Sequence, residues 1–165
     1  MKSLFILQLV CCVITAMLAL QLAMASLQVR WKVWRYEISR WILVASMLFF
    51  SVHYLLQMLY GLRAQGTDVG AAFNILFYTP VAFAITLSII NIESAGNKVR
   101  RYCLRGMMAY ILIAIVFVIG MFKSQSLHIG NMLYVMLGLF VASMAYFILI
   151  IRKETKARKQ KLMEN

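Results

Sequence analysis

Five side chains recur along one stretch of this sequence at spacings of 4, 3, 4 and 3: Ser46, Phe50, His53, Gln57 and Tyr60. Residues three and four apart share a helix face, so the pattern draws a single stripe bearing imidazole, carboxamide and phenol groups. Imidazole is the side chain that titrates near neutral pH, which gives His53 two readings: a proton-responsive or ligand-contacting group, or a neutral hydrogen-bond partner between helices. A glycine-spaced turn follows, carrying Arg63 and Asp68, and then a helix carrying Asn74, Tyr78 and Pro80. Thr67 or Asp68 suits the start of that helix, where unpaired N–H groups and the helix dipole favour an acidic side chain. Arg63 and Asp68 are placed to pair or to touch a solute, although an exposed pair adds little stability. Pro80 lacks a backbone donor and is expected to kink or loosen its helix, exposing the carbonyl of Leu76 or its neighbours; the kink reads either as a packing feature or as the lining of a small cavity beside Asn74 and Tyr78. His53, Gln57, Tyr60, Arg63, Asp68, Asn74, Tyr78 and Pro80 are therefore the candidate sensing or ligand-contact residues.

Catalytic chemistry finds little material here. No nucleophile is spaced to meet a base, no Gly-rich loop is built for phosphate, and all five acidic residues lie outside the apolar runs. No catalytic residue is assigned and the 165 residues are not read as an enzyme. His53 has no second ligand at metal spacing, and Cys11, Cys12 and Cys103 form neither a disulfide framework nor a zinc signature. The cysteines read as packing thiols, and no metal or cofactor is expected.

The elements that must position these groups are long and apolar. The chain is 64% hydrophobic and 13% charged, far from a soluble domain. Five runs, 3–24, 42–62, 71–92, 107–122 and 132–151, contain no Asp, Glu, Lys or Arg. A helix rising about 1.5 Å per residue needs roughly 17 to 25 residues to cross the hydrocarbon core, so each run is a span. The fourth is slightly short, and Arg105 and Lys123 are expected to snorkel to the two interfaces. The fold class is all-α membrane protein, a bundle of five transmembrane helices. A β-barrel would need short alternating segments instead of continuous runs.

Fourteen of the seventeen basic residues fall between spans one and two, between three and four, and after span five. Basic residues resist export, so those segments mark the cytoplasm, with the N-terminus outside and the C-terminus inside. The same distribution favours an anionic membrane surface over nucleic acid as the partner of the +12 net charge. Lys2, the first apolar run and Ala23-Met24-Ala25 imitate a cleavable secretory signal. Cleavage would leave the basic residues from Arg30 to Arg40 on the wrong side, so the first helix is retained. Trp31, Trp34, Tyr36 and Trp41 fit an interfacial aromatic belt.

The connections are short, about 17, 8, 14 and 9 residues in order, and none can fold separately. The first reads as an interfacial amphipathic helix. Residues 1–151 form one five-helix domain, and 152–165 a basic tail rich in helix formers, with Glu154 and Arg158 at i,i+4. Gly138, Ala142 and Ala145 make a small-residue stripe on span five, suited to packing within the monomer or to a homodimer.

From Tyr36 onward, over roughly residues 36 to 92, the text resembles the N-terminal membrane region of a group of Gram-negative sensor histidine kinases, and the other spans are similar to it in topology only. The matching positions are Glu37, Ser39, Arg40, Trp41, His53, Gln57, Gly61, Arg63, Gly66, Asp68, Gly70 and Asn74 to Tyr78. The resemblance implies a membrane input module of a two-component system in the bacterial inner membrane, signalling through the helix after span five to kinase or response-regulator machinery. The phosphoacceptor-histidine helix and ATP-binding domain of such kinases are not in these 165 residues, and His128 cannot stand in for the former. A truncated kinase and a freestanding accessory protein both follow as expectations. From other classes, a small transporter or channel subunit using the span-two stripe and a structural subunit of a membrane complex stand as alternatives.

Overall fold

The structure, a computed structural model, describes residues 2–25, 33–93 and 96–163. It comprises α1 (Lys2–Met24), α2 (Val33–Leu59), the short α3 (Leu62–Gln65), α4 (Thr67–Glu93), α5 (Gly96–Ser124) and α6 (Met132–Met163), with no strand among the described residues. Five of the six helices are long and apolar enough to cross a membrane. The chain is thus a helical, multi-pass membrane protein.

Several helices outrun the apolar segments that announce them. Helix α2 begins at Val33, so the described part of the first connection continues span two instead of forming a separate interfacial helix. Trp31 lies outside the described residues. Likewise α5 begins at Gly96, eleven residues ahead of the apolar run, so most of the expected 14-residue connection is helix. Helical hydrogen bonding needs no lipid, and Lys, Arg and Gln are good helix formers.

The burial pattern is the one lipid imposes. Large apolar side chains such as Phe5, Leu55, Ile111, Ile119 and Leu149 face outward, while Gln8, Ser39, His53, Gln57, Thr79, Thr86, Ser88 and Glu154 are buried. In hydrocarbon, polar groups must find partners inside the bundle. The apolar heart, Ala72, Ile75, Ile113, Ile129 and Met136, joins α4, α5, α6 and the loop between the last two. Gly106 lets α4 and α5 approach closely: a Cβ there would stand 2.0 Å from the Phe83 ring.

Among the described residues, helix α1 packs on α2 alone, and α4, α5 and α6 pack on one another. The two groups meet along α2 and α4, with α3 at one end of that seam. The face α1 turns to α2 repeats at helical spacing: Gln8, Cys12 and Ala19. The Cys12 thiol donates to the Ser51 carbonyl at 3.4 Å, and the Ser51 hydroxyl returns a 3.1 Å bond to the Cys12 carbonyl.

Candidate functional site

His53 and Gln57, one turn apart on α2, are each 1% exposed. Both reach Asn74 on α4. Gln57 Nε2 donates to Asn74 Oδ1 at 2.7 Å, and His53 Nε2 lies 3.1 Å from the same oxygen. An amide oxygen only accepts, so the imidazole presents Nε2–H to it. Gln8 closes the cluster from α1, donating through Nε2 to Gln57 Oε1 at 3.2 Å. Three helices thus contribute to one chain of side-chain hydrogen bonds. The His53 ring is also held by aromatics, with Phe77 at 4.5 Å between centroids and Tyr78 edge-on at 5.6 Å. Tyr78 meets Phe50 edge-on at 5.3 Å.

Measured on the full helices, His53 is six residues from the end of α2, Gln8 six from the start of α1, and Asn74 seven from the start of α4. All three therefore sit about 9 to 11 Å inside the same end of the bundle.

The remaining candidates divide among other places. Tyr60 continues the stripe in sequence but is 66% exposed, because α2 ends at Leu59 and Gly61 turns the chain with φ of 57°. Asp68 does not pair with Arg63 among the described residues; its carboxylate takes His128 Nδ1 at 2.9 and 3.1 Å, from the loop between α5 and α6. Arg63 lays its stem against Gly70. The backbone at Gly66 passes so close to the Asp68–His128 pair that a Cβ would stand 2.6 Å from Asp68 Oδ1 and 2.8 Å from His128 Cε1. Helix α4 runs through Pro80 unbroken, and the proline lines an open apolar hollow of about 300 Å³ with Ile42, Ala45, Ser46 and Phe49. Ser46 turns its hydroxyl back to the Ile42 carbonyl at 2.7 Å.

No family model, curated protein or solved structure matches this chain. At the opposite end of the α2–α4 seam stands a second polar lock. Ser39 and Ser88 exchange hydroxyl-to-carbonyl bonds of 3.0 Å each, and Asn91 donates to the Ser39 hydroxyl and the Arg35 carbonyl, both at 3.0 Å. Nearby, Arg40 pairs with Glu37 at 2.6 Å, also bonds the Ala25 carbonyl, and lies over the Trp41 ring. On the other side of the bundle, buried Glu154 of α6 accepts from Tyr102 at 3.0 Å and Lys98 at 3.4 Å, both on α5. The i,i+4 pattern with Arg158 does not reveal this cross-helix attachment.

Gln8, His128 and Ser88 are the contributors that the sequence reading leaves out. Gln8 carried a signal, as one of two carboxamides inside the first apolar run. His128 carried a topological one, since alternation places its loop at the same end as Asp68.

Proposed function

We propose that this chain is the input and anchoring module of a bacterial two-component signalling protein, seated in the inner membrane with its N-terminus outside and its C-terminus in the cytoplasm. The observation that carries the reading is α6, a single 32-residue helix that continues twelve residues past the apolar run ending at Ile151. A helix that leaves the bilayer without a break transmits translation or rotation along its length. Glu154, tied to α5 where this rod emerges, makes its position answer to the packing of the bundle.

The polar cluster supplies the input. A ligand or proton that favours another arrangement of His53, Gln57 and Asn74 shifts the packing of α2 on α4, and α4 packs on α6. Phosphoryl chemistry belongs to a cytoplasmic kinase, on the same chain or on a partner, and the basic end rests on anionic headgroups. The kinase-like text from Tyr36 onward supports the same reading, because it contains His53, Gln57 and Asn74.

The test joins residue 163 to the phosphoacceptor helix and ATP-binding domain of a histidine kinase, with zero to four residues inserted at the junction. Kinase output that varies with a period of about 3.6 residues, and that shifts on His53→Phe, supports the proposal. Output indifferent to both refutes it. The second reading, a small carrier or channel subunit, draws on the same buried imidazole and predicts proteoliposome flux that vanishes in His53→Ala.

A further inference from the structure

Helices α5 and α6 leave a groove of about 450 Å³ on the outside of the bundle. Its walls are Ala109 and Leu112 on α5 and Leu139 and Ala142 on α6. Arg105 and Tyr146 close one end, where Arg105 Nη1 donates to the Tyr146 hydroxyl at 3.3 Å. The spacing explains the alignment: 105, 109 and 112 share a face of α5, and 139, 142 and 146 share a face of α6. Small residues at 109 and 142 make the hollow. At about 30 Å³ for a water-sized group, it holds on the order of a dozen methylenes.

We infer that this groove binds one anionic phospholipid, with an acyl chain along the apolar walls and the phosphate on Arg105 and Tyr146. The charge at its end decides the occupant. Arg105 is exposed and, among the described residues, has no carboxylate within ion-pair distance. Its recorded partner is a neutral phenol, so most of its five N–H donors are left for an anion. Glu154, the acid on the described part of α6, is committed to Lys98 and Tyr102 on α5. Arg101 and Arg152, also exposed, extend the cationic zone at the same end. A second copy fits less well. Gly138, Ala142 and Ala145 are exposed on α6, but a two-fold contact through the groove would bring two Arg105 side chains together with no acid to answer them. A phospholipid brings both the apolar chain and the missing negative charge. The inference is independent of any signalling role, since it needs only the groove and a bilayer.

Native mass spectrometry of the full chain released from detergent tests this, with dioleoyl phosphatidylglycerol and dioleoyl phosphatidylcholine as competing probes and glycerol 3-phosphate as the soluble headgroup. Retention of phosphatidylglycerol over phosphatidylcholine by about fivefold is expected, the ratio one interfacial cation gives. Arg105→Gln should bring that ratio near one, whereas Ala142→Leu, which fills the groove from an exposed position, should reduce retention of both lipids. Equal retention of the two lipids by the natural chain, or an unchanged ratio in Arg105→Gln, overturns the proposal. So does displacement of the lipid by glycerol 3-phosphate alone. Efficient disulfide dimers of Ala142→Cys in vesicles would assign the groove to a second copy and overturn it equally.

Discussion

Asn74→Leu removes the one atom on which two buried donors converge. Oδ1 of Asn74 accepts from Gln57 at 2.7 Å and from His53 at 3.1 Å, and the substitution leaves both N–H groups facing apolar surroundings. In membrane proteins, interhelical hydrogen bonds average about 0.6 kcal/mol and reach about 1.7, because helices separated in lipid also find partners. Two such bonds, one of them short, place the cost at about 1–3 kcal/mol. His53→Phe is the informative contrast. It keeps a ring against Phe77 and Tyr78, removes a donor without orphaning an acceptor that Gln57 still fills, and should cost only about 0.5 kcal/mol. The asymmetry between orphaning a donor and deleting one is thus expected to appear as a gap of about 1 kcal/mol. Reversible unfolding in mixed micelles, followed by tryptophan fluorescence, measures both variants and their double mutant. In the double mutant His53 no longer needs an acceptor, so the combined cost should fall below the sum of the two. A His53→Phe variant as damaged as Asn74→Leu, or strictly additive costs, would refute the account of the cluster as a shared-acceptor network.

Gly106→Ala should destabilise the bundle by about 1–3 kcal/mol, because its methyl would overlap the Phe83 ring, and Phe83→Leu should restore part of the loss in the same unfolding assay. Tyr102→Phe is expected to loosen Glu154, which keeps Lys98, and to raise amide exchange along 152–160, with little change in α1. Asp68→Asn should alter global stability by less than about 1 kcal/mol, as expected of an exposed pair, yet raise exchange in the loop around His128. Loop protection that stays the same would mean that the pair does not hold the loop in place.

The five spans were legible because charge is costly in hydrocarbon and the chain obeys that cost throughout. Their ends were not, since hydropathy marks where lipid must stop, whereas α2 and α5 extend through polar flanks that continue to satisfy their own backbone. The stripe on α2 was legible from its period, and Tyr60 shows where periodicity stops informing: its spacing is right, but the helix ends one residue earlier. At about 100° per residue, Pro80 stands roughly 120° around α4 from Asn74, which is why it faces Ser46 and leaves the polar cluster alone. The partners Gln8 and His128 depended on packing between segments 49 and 60 residues distant. Pattern within one helix contains no information about such pairs.

The α2–α4 seam is fastened at both extremities, by Gln57 and His53 on Asn74 at one and by Ser39 with Ser88 at the other, with the soft hollow beside Pro80 between them. Sliding one helix past the other by a single residue would undo both fastenings at once, so the joint resists small displacements and yields only to large ones. Such a joint moves between discrete registers instead of creeping. A signal crossing from the α1–α2 pair to the other three spans would therefore be passed on as a step, its threshold set by two small sets of uncharged hydrogen bonds.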